Sequence, residues 1–281
     1  MPRIACVQLN AGPEIAPNLE IAADHVRSAA ADGADLIALP ENATMVVHGR
    51  EAILARARHE GDHPAIPVFA TLARETGVPI LVGSLAVLLE DGRAANRSFL
   101  FAADGTVLAR YDKLHMFDVD LPGGESYRES DTFRPGDSAV VADLPWARLG
   151  LSICYDVRFP HLYRDLARAG ADVIAVPSAF TRQTGEAHWH LLLRARAIET
   201  GCFIVAPAQT GTHHKDRKTF GHSLIVDPWG RVLADAGTEP GIVAADIDLE
   251  RISAARGAVP ALSHDRAYHV PRPAPEGRAA E

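Results

Sequence analysis

The chain predicts an α/β fold: a four-layer αββα sandwich of two mixed sheets with helices outside and an internal pseudo-two-fold repeat. Three observations point there. Short apolar strands alternate with amphipathic helices in both halves of the sequence. Gly33-Ala34-Asp35-Leu36-Ile37-Ala38-Leu39-Pro40 matches Gly170-Ala171-Asp172-Val173-Ile174-Ala175-Val176-Pro177 with only Leu/Val exchanges, as two equivalent βαβ halves would. Two Asp-Gly pairs, Asp91-Gly92 and Asp104-Gly105, separate β-rich stretches and predict antiparallel hairpins in the middle of the chain.

Ile4–Leu9 reads as the first strand. Leu19, Ala22, Val26 and Ala29 then recur at helical spacing, with Asn18 as N-cap and Gly33 as the stop. Leu36–Leu39 is a buried-type strand, Ala65–Thr76 a helix, and Val78–Gly83 the strand after it. In the second half Leu149–Ile153 and Asp172–Val176 are strands on either side of a helix at Pro160–Ala169. A long helix, Glu186–Thr200, stops at Gly201. Strands at Cys202–Ala206, Ser223–Val226, Val232–Ala236 and Val243–Ile247 complete the pattern. No linker rich in Gly, Ser or Pro divides the chain, so 1–270 is expected to be one domain. The segment 271–281, rich in Pro, Ala and charge, is expected to be a poorly ordered tail or an arm on a partner subunit.

Of the 281 residues 47% are hydrophobic and 23% charged, enough for a sizeable core. A formal net charge of -8 argues against a nucleic-acid binder, which needs clustered Lys and Arg. No apolar run approaches the ~20 residues that span a bilayer. The opening Met1-Pro2-Arg3-Ile4-Ala5-Cys6 leads directly into a strand without a signal-peptide layout, so the expected location is cytoplasmic. Three cysteines cannot build a disulfide framework, and Cys6 and Cys202, inside apolar runs, read as core residues.

Cys154 is placed differently. It follows the apolar run Leu149-Gly150-Leu151-Ser152-Ile153 and precedes Tyr155-Asp156-Val157-Arg158-Phe159-Pro160, where a helix begins. A strand-to-helix turn holds a side chain out of the sheet and aims the next N–H groups at an incoming anion. A thiol there can serve as nucleophile when a base stands near; a cysteine at a strand end can equally be packing. Glu41 also follows a buried strand. Desolvation there would raise its pKa and suit it to general-base work, whereas alone it reads as well as a cap or surface residue. Lys113, at the end of Thr106–Asp112, and Glu129, in a Gly-rich loop, carry little information singly.

Together these residues form a pattern. Gly150-Leu151-Ser152-Ile153-Cys154-Tyr155-Asp156-Val157-Arg158-Phe159-Pro160 resembles the nucleophile motif of the nitrilase superfamily, the carbon–nitrogen hydrolases. Leu39-Pro40-Glu41 and Tyr111-Asp112-Lys113-Leu114-His115 resemble that family's other two signatures, in the expected order. The resemblance runs from about residue 3 to 270. It implies a cofactor-free, metal-free amide hydrolase with a Glu41-Lys113-Cys154 triad and a supporting glutamate at Glu129. Lys113 and the N–H of Tyr155 would hold the oxyanion. The usual assembly in the family, a homodimer or higher homo-oligomer, is expected here.

Within the superfamily the chain is most similar to the Nit branch through Pro177-Ser178-Ala179-Phe180, Ala187-His188-Trp189, Leu193-Arg194-Ala195-Arg196-Ala197-Ile198-Glu199, His213-His214, Phe220-Gly221-His222-Ser223 and Asp227-Pro228-Trp229-Gly230. That likeness implies deaminated glutathione as the amide substrate, with α-ketoglutaramate as the sister reading. The basic loop His213–Lys218 favours the former, since it could meet the extra carboxylate of a peptidic leaving group, although a solvated loop reads as well. Arg158 is expected to grip the α-keto acid end. Phe180 and Thr184 are pocket walls by the same resemblance.

His59-Glu60-Gly61-Asp62-His63 fits a zinc-protease pattern letter for letter. That chemistry needs both histidines on one helix face, and Gly61, Asp62 and the following Pro64 predict a loop instead. A Cys154–His161 dyad would leave Glu41 and Lys113 unexplained. A non-catalytic binding scaffold is the reading from another class, disfavoured because all four catalytic positions are filled. The family's basic C-terminal stretch reads His264-Asp265-Arg266 here, a departure that leaves assembly open.

Overall fold

Residues 1–122 and 124–270 are described by a computed structural model, in which the chain follows one route twice. The segment 271–281, expected to be a tail, lies outside the described residues. From β1 (Arg3–Gln8) the chain passes through α1 (Ile15–Ala31), β2 (Leu36–Ala38), α2 (Arg50–Arg56) and α3 (Ala65–Thr76) to β3 (Ile80–Leu88), then β4 (Ala94–Phe101) and β5 (Val107–Asp112). A two-stranded ribbon, β6 (Asp118–Asp120) with β7 (Ser126–Arg128), leads to β8 (Val140–Asp143). The route then repeats as β9 (Arg148–Leu151), α4 (Pro160–Arg168), β10 (Val173–Ala175), α5 (Arg182–Thr200) and β11 (Phe203–Ala206). A second ribbon, β12 (Thr210–Thr212) with β13 (Lys218–Phe220), precedes β14 (Leu224–Val226), β15 (Val232–Asp235), β16 (Gly241–Asp246) and α6 (Glu250–Ala258).

The sheet orders make the repeat explicit. One sheet runs β16-β1-β2-β3-β4-β5 and the other β8-β9-β10-β11-β14-β15. In each, three parallel strands sit at the centre and antiparallel strands flank them. The matched octapeptides carry β2 and β10, which occupy equivalent central positions. Side-chain alternation along β1 then sets the layers. Ile4 and Cys6 pack toward the second sheet, while Ala5 and Val7 pack with Val26 of α1 and Phe69 of α3. The second sheet is covered by α4 and α5 through Leu166, Trp189 and Leu193. The result is the expected αββα sandwich.

Several expectations are corrected. Helix α1 begins at Ile15, so Asn18 is in its first turn rather than at its cap; its buried amide bonds Gly12, Glu14 and Thr44 and holds the entering loop. Helix α5 begins at Arg182, four residues before the expected Glu186. Gly185, a poor helix former, lies in that extra turn because a Cβ there would meet Phe220 Cβ at 2.3 Å. The residues Glu60–Asp62 form a 3-10 turn, and Glu60 is taken up by ion pairs with Arg97 and Arg110, so the apparent zinc motif is a loop as expected. No helix among the described residues is long and apolar enough to cross a membrane.

Candidate active site

The strand ends place the site. Cys154 directly follows the short approach from β9 and adopts φ +49°, an unusual left-handed conformation for a side-chain-bearing residue. The turn is held on every side. Cys154 donates its N–H to Pro177 O at 2.9 Å. Asp156, fully buried, accepts from Ile153 N (2.8 Å), Tyr111 Oη (2.7 Å) and His115 N (3.0 Å), with His115 Nδ1 at 2.7 Å. Ser152 Oγ bonds Ala175 O. The thiol is thus presented by a rigid elbow. Of the first N–H groups of the turn, those of Cys154 and Asp156 are taken up by Pro177 O and Ile153 O, which leaves that of Tyr155 for an incoming oxyanion.

The charged groups come from other strand ends. Lys113 follows β5 and is buried between two carboxylates: its Nζ lies 2.9 Å from Glu41 Oε1 and 2.8 Å from Glu129 Oε2. Asn96 of β4 donates its amide to Glu41 Oε1 (2.9 Å) and Glu129 Oε1 (3.2 Å). Glu41 Oε2 accepts the N–H of Ala179 at 2.8 Å. Glu129 also accepts the N–H of Phe117 at 2.7 Å. Between strands, Gly83 allows the Glu41 loop to close down, because a Cβ there would meet Leu39 O at 2.1 Å.

These contacts settle which groups carry charge. Burial pushes the Glu41 carboxyl up, but the Lys113 ammonium outweighs it, and Glu41 is held below its ordinary pKa. The expectation that desolvation would raise Glu41 is therefore overturned by its buried cation. Burial opposes the charge on Lys113, but Glu129 and Glu41 together hold it well above the ordinary lysine value. Burial pushes the Cys154 thiol up, with Glu41 reinforcing and Lys113 opposing. At rest the arrangement is a carboxylate, an ammonium and a protonated thiol.

All four groups line one cavity of about 300 Å³, within the usual range for small-molecule sites. Phe180 and Thr184 stand on its wall, as does Tyr155. Arg158 does not line it. Its half-buried guanidinium lies over the rings of two wall residues, 5.8 Å from the Tyr155 centroid and 5.2 Å from that of Phe180. Three other arginines do line it, Arg50, Arg128 and Arg217, the last from the basic loop. Arg217 donates to Ala179 O and sits over Tyr127, while its Nε is buried without a hydrogen-bond partner among the described residues. His161 is exposed, packs with His115 and Phe159, and does not line the cavity.

Sequence reasoning passed over Asn96, Asp156 and the special place of Arg217. A signal existed for two of them. Asn96 and Ser98 interrupt an apolar strand, and Asp156 lies two residues beyond the thiol. Arg217 is one of several basic residues in its loop, and only folding separates it from the rest.

A thiol, an ammonium and two carboxylates gathered at one cavity of an αββα sandwich define a hydrolase of carbon–nitrogen bonds. The chain belongs to the carbon–nitrogen hydrolase family, whose model matches residues 3–257, and it is an amidase. It is 43% identical over 269 residues to the deaminated glutathione amidase of a Synechocystis strain, covering 92% of this chain and 96% of that protein. Among solved structures it is similar to Saccharomyces cerevisiae Nit3, a member of branch 10 of the nitrilase superfamily (TM-score 0.84, 29% identity, 92% of this chain and 94% of that one). A Nesterenkonia amidase solved with acrylamide added at its active-site cysteine is also similar (TM-score 0.78, 27% identity, 92% and 98% covered).

Proposed function

We propose that Cys154 is the nucleophile, Glu41 the general base, Lys113 an oxyanion donor and Glu129 the group that positions Lys113. The observation that carries this is Lys113 held between Glu41 and Glu129 beside the Cys154 thiol at the cavity. As Sγ attacks the amide carbon, Glu41 takes the thiol proton, and the oxyanion forms against Lys113 and the N–H of Tyr155. A donor in such a place contributes about 3–4 kcal/mol. Glu41 then gives its proton to the departing amine as the C–N bond breaks, leaving a thioester on Cys154. It next takes a proton from water, whose attack releases the acid and restores the thiol. The high thiol pKa fits this order: the proton stays on sulfur until attack makes its transfer favourable. No cofactor or metal enters these steps.

For substrate we assign deaminated glutathione, cleaved to 2-oxoglutarate and cysteinylglycine. The amidases named for that substrate are aligned over nearly the whole chain. The substrate carries a carboxylate at each end, and guanidinium groups pair well with both. Arg158, beside the wall rings of Phe180 and Tyr155, is the guanidinium assigned to the keto acid end. Arg217, with its unpaired buried Nε, suits the glycyl carboxylate of the leaving group.

Purified protein assayed with deaminated glutathione, α-ketoglutaramate and a simple nitrile tests this reading, with Cys154→Ala as control. Preference for the first substrate and loss of all turnover in a folded Cys154→Ala are expected. Preference for α-ketoglutaramate would make it an ω-amidase. Slow stoichiometric labelling of Cys154 without turnover on any amide would make it a binding scaffold.

We further assign residues 1–270 to one domain that works in the cytoplasm as a homodimer. Leu191 and Ile198, seven apart on α5, are exposed together with Trp229 and with Val232 of the edge strand β15. Such an apolar face invites a second copy.

A further inference from the structure

Outside the cavity, one cluster of side chains joins three elements with donors suited to a transition metal. We propose that His190, His222 and Asp235 form a binding site for a zinc-like divalent ion. One nitrogen of each ring and one carboxylate oxygen all lie within 4.8 Å of one another, the single such group of three among the described residues. His190 Nε2 is 3.0 Å from Asp235 Oδ2, and His222 Nδ1 is 2.9 Å from Asp235 Oδ1. Ligands of a tetrahedral zinc at ~2.0–2.1 Å lie roughly 3.4 Å apart, so the two nitrogen–oxygen pairs, now at 3.0 and 2.9 Å, would open slightly, and the two rings, bounded at 4.8 Å, would turn to share one ion. Two imidazoles and a carboxylate are the donor set of many zinc sites, and water supplies the fourth ligand.

The ligands are held ready. His222 sits at φ +55°, and its backbone is fixed by its own N–H on Gly237 O (2.7 Å) and by buried Trp189 donating to its carbonyl (2.8 Å). Its ring stacks on Phe220, with centroids 4.5 Å apart. Asp235 Oδ1 also accepts the N–H of Gly237, the kind of outer contact that orients a metal-bound carboxylate. His190 comes from α5, so a bound ion would tie that helix to the end of β15 and the turn after β13. Strand β13 also touches the cavity wall, since Phe220 donates its N–H to Phe180 O at 3.0 Å. The ion would therefore act as a staple behind the wall, with no part in the amide chemistry.

The test uses the full chain carrying Cys154→Ala, so that the cavity thiol contributes nothing. After stripping with chelator, the protein is titrated with zinc against a chromophoric competitor. One equivalent should bind, raise the melting temperature, and lose affinity at least about tenfold in both His190→Asn and Asp235→Asn. Cobalt substitution provides a second readout that does not depend on the folding of any ligand variant. It should give tetrahedral d–d absorption without a sulfur-to-cobalt charge-transfer band. Absence of binding, affinity unchanged by both substitutions, or a charge-transfer band would each overturn the site and leave the cluster a hydrogen-bonded His-Asp-His triad.

Discussion

Glu41 Oε2 accepts the backbone N–H of Ala179 at 2.8 Å, so the acid of one half of the repeat is oriented by a peptide of the other. Gln209, also from the second half, reinforces the join by donating to the carbonyls of Glu41 and Asn42. Glu41 follows Pro40 and Ala179 lies two residues beyond Pro177, so the repeated octapeptides deliver both partners. The site is a consequence of packing two equivalent strand ends against each other, and the Glu41 carboxylate cannot be held in this way by either half alone.

Replacing Glu129 with Gln should lower kcat by roughly 10²-fold while leaving KM nearly unchanged. The charge of Glu129 is the largest influence favouring protonated Lys113. Without it, Lys113 loses its proton at lower pH, and the alkaline limb of kcat/KM should move down by about one pH unit or more. An unmoved alkaline limb would show that Glu129 does not govern the ammonium. Lys113→Met, by contrast, leaves the buried Glu41 carboxylate and the partly buried Glu129 without their shared cation and should cost about 3–5 kcal/mol in urea unfolding.

The titration signs predict the behaviour of the thiol. Because burial and Glu41 push Cys154 up, no thiolate absorbance near 240 nm should appear between pH 6 and 9 when wild type is compared with Cys154→Ala. A step in that window would mean a preformed thiolate pair instead. Glu41 is depressed, so its contribution to stability is present above its unfolded pKa and fades as pH falls through the folded value. Lys113 is raised, so its contribution holds below its unfolded pKa and is lost only as pH rises through the folded one.

Much of this was legible in the sequence because it depends on local chemistry. The apolar periods located β1, β2, β9, β10 and α3, since burial on one face or both dictates the pattern. The Asp-Gly turns located β3–β5. Glu41, Lys113 and Cys154 lie within three residues of the ends of β2, β5 and β9, and all three line the cavity. Elements such as α2 and β8 escaped because little of them is buried, no residue in α2 and one in β8, so neither carries a clear apolar period. The direction of the Glu41 pKa escaped for another reason: it depends on Lys113, 72 residues away in the chain and 2.9 Å away in space. The placement of Arg158 against the rings of Tyr155 and Phe180, rather than on the cavity surface, is likewise a matter of packing.

His213 anchors the loop that carries Arg217, through Ala11 O at 2.8 Å and Thr219 Oγ1 at 2.7 Å. Burial lowers its pKa to about 4, and the same cause lowers His63 to about 4. Both rings stay neutral in the folded chain while the unfolded chain begins to protonate them near pH 6.5. Stability should therefore decline as pH falls from about 6.5 to 4, by up to about 3 kcal/mol for each ring. Urea midpoints across that range should fall less steeply in His213→Gln than in wild type, and parallel slopes would remove His213 from the account.

The two guanidinium groups should separate the two ends of the substrate. Arg217 lines the cavity from the loop His213–Lys218, whereas Arg158 does not line it and lies 5.2 Å from the Phe180 ring centroid. Arg217→Met removes the charge but keeps much of the side-chain volume over Tyr127. It should raise KM for deaminated glutathione about 10- to 100-fold, as expected for a lost charged hydrogen bond, and alter α-ketoglutaramate little, since that amide has no second carboxylate on its leaving group. Arg158→Ala should raise KM for both, because both carry the keto acid end, and should leave simple amides almost unaffected. Steady-state kinetics on the two variants with the two substrates give four comparisons. Equal effects of Arg217→Met on both substrates would place that guanidinium at the keto acid end instead, and an Arg158→Ala enzyme with wild-type KM for every dicarboxylate would remove Arg158 from recognition altogether.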